Sequence, residues 1–189
     1  KIMDIYIIGG VLILLGIIEI ITGVYTNSKN RTDDWLINII SLAQFVIIIK
    51  PGVVVGTSFL LDYLDLGIKD LLKDIPLFYA LIGYMLFDDL LHYWFHRKGH
   101  EWEWLWRFHK THHTTPTMNV GVAFRQSLYW FILMPNLYFG AIAVYMGLGY
   151  PFLYATILKG VMEFVVHAGF RFDLVLHKNK FLKPIGWIL

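Results

Sequence analysis

Long apolar runs separated by short polar links dominate the pattern of hydrophobic and polar positions along this chain. A helix of about 20 residues, rising about 1.5 Å per residue, crosses the hydrocarbon core of a bilayer. Runs that reach or approach this length occupy residues 5–25, 35–61, 75–95, 127–147 and 151–168. The pattern predicts an all-α integral membrane protein, a helical bundle with about four to five crossings.

Proline, glycine and charged residues divide these runs. Pro51 should bend the second run and Pro135 the fourth, because proline removes a backbone hydrogen bond and crowds the preceding turn. The fourth and fifth runs form a hairpin that turns at residues 149–151. Residues 62–74 mix leucines with charges, which predicts an amphipathic helix at the membrane interface.

Composition supports a membrane protein and narrows its chemistry. Hydrophobic residues make up 57% of the 189 residues and charged residues only 16%, which is too apolar for a soluble domain of this length. The chain has no cysteine, so disulfides, cysteine-bound zinc and iron–sulfur clusters are excluded. A net charge of +2 without a basic run excludes nucleic acid as a partner.

The lysines and arginines predict the orientation of the crossings. Residues 97–125 carry five of them and residues 171–183 carry four, whereas residues 62–74 have two lysines against four aspartates. Because short loops rich in Lys and Arg stay in the cytoplasm, the first two segments are expected on the cytoplasmic side.

Histidine is the residue with the most unusual distribution, since six of the eight histidines lie within residues 92–113. His92, His96 and His100 are spaced four residues apart, which places all three on one side of a helix. The chain therefore carries a stripe of imidazoles where the third predicted crossing ends.

A second group of histidines follows within a few residues. His109, His112 and His113 have the i, i+3, i+4 spacing with which imidazoles on one helical face converge on a metal ion. His167 ends the last predicted crossing and returns to the same membrane surface. Imidazoles this close repel one another when protonated, so a cation or buried carboxylates should hold them together.

The ligand types indicate which metals are suitable. Imidazole nitrogens bind iron, zinc or copper rather than magnesium or calcium, and more than four histidines exceed the needs of one tetrahedral zinc ion. Two metal ions are therefore expected. Asp88 and Asp89 lie near the first stripe and are candidates to orient an imidazole through its second nitrogen. Glu163 is one helical turn before His167, and a carboxylate within a crossing is costly enough to suggest a function.

In their order and spacing, these motifs resemble the fatty acid hydroxylase/sterol desaturase superfamily of integral membrane di-iron oxygenases. Residues 89–100, which include His-Arg-x-x-His, resemble its first histidine box, and residues 106–113, which end in His-x-x-His-His, resemble its second box. Asn119 and residues 123–125 resemble the polar segment that follows, and residues 167–169 resemble the later histidine at a membrane helix end.

The resemblance implies a site and a reaction. It implies two iron ions, for which zinc is a possible surrogate, and the use of dioxygen to hydroxylate or desaturate a lipid such as a fatty acid, sterol or ether lipid. The implied ligands are His96, His100, His109, His112, His113 and His167, while His92 has no settled place in the pattern. The residues expected around these ligands are Asp88, Asp89, Glu163, Asn119 and Arg125.

Further expectations concern the reductant and the extent of the chain. Residues 125–127, Arg-Gln-Ser, resemble the alkylglycerol monooxygenase branch, which uses tetrahydrobiopterin. A glycine-rich dinucleotide motif is absent from the sequence, so a partner protein of the cytochrome b or ferredoxin type is expected to donate electrons. Residues 1–74 are interpreted as membrane helices with the interfacial segment. Residues 75–189 are interpreted as a hydroxylase-like domain without its final His-x-x-His-His box, so the chain is expected to be a fragment.

Two other interpretations stay open on the residues alone. One is a membrane protein without enzymatic activity that binds a metal or haem, such as a metal transporter or an electron carrier. The other is a catalytically inactive member of the same superfamily.

Overall fold

The computed structural model describes residues 3–24, 32–169, 178, 180 and 181. In this part of the chain all regular structure is helical, and none of these residues lies in a β-strand. The predicted all-α fold is confirmed. Most of the predicted basic segment at 171–183 lies outside the described residues.

The first part of the chain forms two long helical segments. The α-helices are α1 (Met3–Ile21), α2 (Thr32–Ala43) and α3 (Lys50–Leu64), with a π-helical stretch at Gln44–Ile49 joining α2 to α3. Pro51 is the second residue of α3. Because a proline ring crowds the carbonyl one turn earlier, the wider π-helical turns before Pro51 relieve the clash that sequence analysis expected to bend the helix.

One helical stretch among the described residues, Leu36–Leu64, is long and apolar enough to cross a membrane. Only 11% of its most apolar part is buried inside the protein, so its side chains are available to contact lipid. Gly9–Ile21 is apolar but shorter. Membrane crossing by the other four apolar runs, at residues 5–25, 75–95, 127–147 and 151–168, is still only a prediction from the sequence.

The helix predicted over residues 62–74 is wrong beyond Leu64, where α3 ends. Asp65, Gly67 and Asp70 have left-handed backbones, with φ of 45°, 66° and 56°, and such residues interrupt a right-handed helix. Consecutive turns form instead, and the amide of Asp70 donates to the carbonyl of Tyr145 at 3.1 Å. This exposed segment is therefore hydrogen-bonded to the backbone at Tyr145 and Met146.

The second part of the chain carries all the histidines of the two motifs. Its α-helices are α4 (Leu77–Glu101), α5 (Glu103–His109), α6 (Leu128–Leu133), α7 (Pro135–Tyr145) and α8 (Gly149–His167), with short 3-10 turns at His112–Thr114 and Val120–Phe124. Met134 is extended between α6 and α7, so the predicted bend before Pro135 is confirmed. The predicted turn at 149–151 falls slightly earlier, because α8 already begins at Gly149.

Two apolar clusters hold the helices together. The first joins α4, α7 and α8 through buried small residues, including Ala80, Ala143 and Ala155, which allow the helices to approach closely. The second packs Ile49, Leu105, Trp130 and Phe131 beneath the histidine motifs. The second cluster thus forms the apolar floor of the candidate site.

The ring of Trp130 packs directly against the backbone of Gly99, where there is no room for a side chain. Its ring stacks on His109 with ring centroids 4.1 Å apart and packs against Phe95 at 4.4 Å. A Cβ atom at the buried Gly99 of α4 would lie 2.6 Å from Cη2 of Trp130. A side chain at residue 99 would therefore displace the ring that supports His109.

We expect Gly99→Ala to lower the free energy of unfolding by about 1–3 kcal/mol, the usual cost of overpacking a core. Gly83 is the matched control, since it lies in the same helix and a Cβ atom there meets no atom within 4 Å. Gly83→Ala should be neutral or stabilising by up to about 1 kcal/mol, because alanine favours a helix. Thermal unfolding in detergent measures both, and equal melting temperatures would contradict the proposed packing.

Candidate metal centre

The first set of candidate ligands lies along α4. His96 and His100 are one helical turn apart, and their Nε2 atoms lie 3.1 Å from each other. The ring of His92, one turn earlier, has its centroid 5.8 Å from that of His96. The helix therefore aligns the three imidazoles as the four-residue spacing predicts.

The second set comes from the end of α5 and the 3-10 turn after it. His109 is the last residue of α5, and its Nε2 lies 3.1 Å from Nε2 of His113. Ligand nitrogens of His96, His100, His109 and His113 all lie within 4.8 Å of one another. We call these four residues the four-histidine cluster.

Two nitrogen pairs of the four-histidine cluster have the spacing of ligands bound to one transition metal. At a metal–imidazole bond length of roughly 2.0–2.1 Å, neighbouring ligand nitrogens in tetrahedral or octahedral geometry are about 2.9–3.4 Å apart. Both Nε2 pairs fall in this range at 3.1 Å. Nδ1 of His109 is buried without a hydrogen-bond partner among the described residues, so no protein acceptor in this part of the chain fixes a proton on that nitrogen. A set of imidazole nitrogens suits iron, zinc or copper.

The two remaining candidate ligands form a second pair beside this cluster. Nε2 of His167 lies 3.3 Å from Nε2 of His112. Nδ1 of His167 is 2.7 Å from the carbonyl oxygen of Glu163, and because a carbonyl only accepts, Nδ1 carries the proton. In the neutral ring the lone pair is then on Nε2, which faces His112. The ring of His112 also stacks on His109 at 5.6 Å, so the pair adjoins the four-histidine cluster.

Burial favours the neutral form of His109, His112 and His113. Loss of hydration lowers the pKa of His109 to about 3 and of His112 to about 4, and repulsion from neighbouring imidazoles adds to both shifts. The pKa of His113 is also lowered, first by burial and then by His100. Neutral imidazoles expose lone pairs, which is the state that metal binding requires.

The lowered pKa values predict that the metal-free protein loses stability as the solution becomes acidic. In the unfolded chain a histidine has a pKa near 6.5 and becomes protonated below this pH. In the folded protein His109 and His112 stay neutral until about pH 3–4, so between these pH values the unfolded state binds more protons than the folded state. The free energy of unfolding should therefore fall from about pH 6.5 downward. Thermal unfolding with a chelator present measures this, and His109→Gln should reduce the slope. A melting temperature that stays constant down to about pH 4 would contradict it.

The predicted outer carboxylates of α4 contact a lysine instead of an imidazole. Asp88 is buried and forms an ion pair with Lys159 of α8, which also contacts Asp89 at 2.8 Å. Nδ2 of Asn136 donates to the Asp88 carboxylate at 2.9 Å. Asp88 and Lys159 lie eight residues before His96 and His167, respectively. The ion pair therefore aligns α4 and α8 along their lengths, so that His96 and His167 lie at a similar distance from it along the two helices.

Arg125 holds the loop that carries the second motif. Its guanidinium is buried and donates to the carbonyl of Thr111 at 3.1 Å, to the hydroxyl of Thr114 at 3.1 Å and to the carboxylate of Asp34 in α2 at 2.8 Å. Thr111 and Thr114 flank the two adjacent histidines of the second motif. Arg125 therefore fastens this loop to α2.

The other two predicted outer residues have local roles. Asn119 begins the 3-10 turn at Val120–Phe124, and its side-chain oxygen accepts from the amide of Gly121 at 3.1 Å. The carboxylate of Glu163 lies 3.5 Å from Nδ1 of His167, the nitrogen that already donates to the carbonyl of Glu163. Of the predicted outer residues, Glu163 thus lies against a candidate ligand.

Three residues near the candidate site were not predicted from the sequence. Glu19 and Lys159 are charged residues within apolar runs, and the cost of such a placement is a signal that could have found them. Trp130, which supports His109, lies in an apolar run with several aromatic residues, and the sequence does not show which of them packs against a histidine. Its role depends on packing between distant segments.

An open pocket of about 440 Å³ adjoins the cluster. Both His96 and His100 of the cluster contribute to its wall. The other lining residues are Asp89, His92, Tyr93, Arg97, Lys159 and Glu163. The pocket gives a ligand access to the candidate metal centre between α4 and α8.

Comparison with known protein families finds a match to the segment that contains the candidate site. Residues 81–185 match the family model described as fatty acid hydroxylase, and this range includes every candidate metal ligand. The chain belongs to the fatty acid hydroxylase family. The resemblance predicted from the two histidine motifs is confirmed.

Two curated relatives narrow the position within the fatty acid hydroxylase family. The chain is 45% identical to alkylglycerol monooxygenase of Homo sapiens over 40 residues, which are 21% of this chain and 9% of the relative. It is 32% identical to alkylglycerol monooxygenase of Xenopus tropicalis over 94 residues, which are 42% of this chain and 21% of the relative. These similarities support the predicted alkylglycerol monooxygenase-like branch. No solved structure matches the chain significantly.

Proposed function

We propose that this chain carries the di-iron centre of a membrane-bound monooxygenase that uses dioxygen to hydroxylate or desaturate a lipid. The observation that supports it most is the four-histidine cluster, whose ligand nitrogens lie within 4.8 Å of one another inside the segment that matches the family. The Leu36–Leu64 stretch supports attachment to a membrane. The basic residues in 97–125 favour the cytoplasmic side for the histidines.

The two groups of histidines provide ligands for two metal ions. His96, His100, His109 and His113 would hold one ion, and His112 and His167 would contribute to the second. His92 lies beside the first group but outside its four converging nitrogens. Bound iron would supply the reduction of dioxygen and the oxidation of an unactivated C–H bond.

The residues around the histidines orient and support the proposed ligands. The Glu163 carbonyl fixes the proton of His167 on Nδ1, which leaves Nε2 as the ligand atom. Trp106 covers the exposed side, with its ring centroid 5.4 Å from that of His100 and 5.3 Å from that of His113. Trp130 covers the opposite side by stacking on His109. Aromatic rings therefore pack on two sides of the cluster, while His100 and His113 stay exposed to solvent.

The pocket of about 440 Å³ between α4 and α8 is the proposed entrance for the substrate. A lipid would place its polar head among the charged residues of the pocket and its chain against the apolar side of α4, where Leu86 and Leu90 are exposed. Among fatty acid, sterol and ether lipid, the names of the two relatives favour an alkylglycerol ether. By the same similarity, tetrahydrobiopterin is the proposed external reductant, with an electron-donor protein as the other source of electrons.

The proposal predicts about two metal ions per chain. Elemental analysis of the protein purified in detergent should find about two iron ions, or two zinc ions as surrogates, as expected of two-metal sites. The double substitution His112→Ala, His113→Ala should remove most of this metal, because it takes one ligand from each group. His177→Ala is the control, since no motif includes His177.

Metal content separates the proposed oxygenase from other interpretations only in part, so products must also be measured. A protein without metal, or with one haem, would contradict the di-iron proposal. Lipid profiling of cells with and without the protein should show hydroxylated, desaturated or cleaved lipids that depend on dioxygen. A metal transporter or an inactive family member would bind metal and leave the lipids unchanged.

A further inference from the structure

Glu19 is fully buried in α1, far along the chain from every proposed ligand. It is the only charged residue in the apolar run at 5–25. A carboxylate in such a run is costly, so its presence calls for polar partners. Glu19 also precedes the segment 81–185 that matches the family, so the match assigns no role to it.

The carboxylate of Glu19 joins two backbone segments that are distant in sequence. Its Oε1 accepts hydrogen bonds from the amide of Gly169 at 2.7 Å and from the amide of Val120 at 3.0 Å, and Oε2 lies 3.2 Å from the same Val120 amide. These bonds span 150 and 101 residues of sequence. Glu19 therefore connects α1 to two segments of the C-terminal half at once.

The two segments also press directly against each other. A Cβ atom at Gly169 would lie 2.4 Å from the carbonyl oxygen of Met118 and 2.7 Å from Cγ1 of Val24. Only glycine fits this position, because any side chain would separate the segments. The close approach exposes the Gly169 amide to the carboxylate of Glu19.

Both segments lead to the His112–His167 pair. Gly169 follows His167 by two residues, immediately after the end of α8. Val120 begins the 3-10 turn that ends before Arg125, and Arg125 donates to the carbonyl of Thr111 and to the side-chain hydroxyl of Thr114, on either side of His112. Displacement of either segment would therefore change the 3.3 Å separation between the two Nε2 atoms.

We propose that Glu19 is a positioning residue that sets the separation of His112 and His167 and thereby the affinity of the second metal site. The proposal rests on the metal binding in the proposed function. Glu19 touches neither imidazole and acts through the backbone amides of Val120 and Gly169. Of the four-histidine cluster only His113 shares the loop of His112, whereas His96, His100 and His109 lie on α4 and α5, so Glu19 should affect the cluster less.

The test is titration of the metal-free protein in detergent with cobalt(II), whose visible absorption reports each imidazole site. Glu19→Ala should weaken the second, weaker cobalt site by about 10–100-fold, the usual effect of losing an outer partner of a metal ligand. The first site should change by less than about threefold. Glu19→Gln should recover most of the affinity, because its amide oxygen can still accept from Gly169.

Thr22→Ala is the matched control on the same helix. Among the described residues, the hydroxyl of Thr22 bonds to the carbonyls of Ile18 and Glu19 in α1 and to neither of the segments that Glu19 joins. Its cobalt affinities should equal those of the wild type. A loss at Thr22→Ala as large as at Glu19→Ala would show that any disturbance of α1 has the same effect and would overturn the proposal.

A double-mutant cycle separates positioning from general stabilisation. If Glu19 acts through the histidine pair, Glu19→Ala should weaken cobalt binding little further in a His167→Ala protein. Equal weakening of both cobalt sites, or a lower melting temperature with unchanged affinities, would overturn the proposal. If Glu19→Ala does not fold, Glu19→Asp replaces it, because the shorter side chain cannot reach both amides and should weaken the second site selectively.

The results also separate this proposal from the proposed function. A wild-type protein that binds two cobalt ions together with an unaffected Glu19→Ala variant overturns the role of Glu19 and leaves the di-metal centre intact. A wild-type protein that binds no cobalt overturns both.

Discussion

Replacing His109 with alanine is expected to abolish metal binding at the four-histidine cluster and, with it, lipid oxidation. His109 is the most buried member of the cluster, 1% exposed, and its Nε2 lies 3.1 Å from that of His113. Its loss also leaves the stacked face of Trp130 uncovered. The metal affinity should fall by more than the roughly 100-fold that a lost outer partner costs. Elemental analysis and product formation measure the effect.

His92→Ala is the matched control, because it removes a neighbouring histidine that is not part of the four-histidine cluster. His92 lies on the same helix as His96 but outside the four nitrogens that converge within 4.8 Å. The variant should retain metal at the four-histidine cluster. If His92→Ala removes as much metal as His109→Ala, the centre is not the cluster that the structure brings together.

Arg125→Ala is expected to lower the free energy of unfolding by about 3–5 kcal/mol, the cost of removing one partner from a buried ion pair. The Arg125 side chain is 3% exposed and lies 2.8 Å from the Asp34 carboxylate. Its loss also removes the donors to Thr111 and Thr114, so the loop with His112 and His113 should loosen. Arg125→Lys should recover little, because an ammonium group cannot reproduce the guanidinium fork. Chemical unfolding in detergent measures the change.

Arg107→Ala provides a matched arginine at the surface. Arg107 pairs with Glu103 at 3.4 Å, and both side chains are largely exposed. Such a pair contributes about 0–1 kcal/mol, so this variant should unfold nearly as the wild type does. Equal destabilisation by the two substitutions would contradict the role assigned to Arg125 in holding the loop.

The spacing of the histidines predicted much of the site. A period of four residues determines which face of a helix the imidazoles share, and α4 presents His92, His96 and His100 accordingly. What the spacing does not contain is the approach of the second motif to the first. That approach depends on the contact of Gly99 with Trp130 and on the stacking of Trp130 on His109, which join segments distant in the chain.

The outer residues were harder to predict for a related reason. Periodicity placed Asp88 and Asp89 near the histidines of α4, but it does not show which element lies opposite them. Lys159 of α8 occupies that position and binds both carboxylates. The interfacial helix predicted from the leucines of 62–74 failed because Asp65, Gly67 and Asp70 have left-handed backbones, and the amide of Asp70 bonds to distant Tyr145, which an amphipathic pattern does not encode.

The contacts of α1 and α2 with the half that carries the candidate metal ligands have a consequence for how such a protein can evolve. Glu19 and Val24 meet the backbone at Gly169, and Asn38 lies against Gly121, where a Cβ atom would be 2.9 Å from its Nδ2. A change at either glycine must therefore be matched by changes in the N-terminal helices. The two halves of the chain should be inherited together, and recombination that exchanged the hydroxylase segment alone would separate residues that fit only each other.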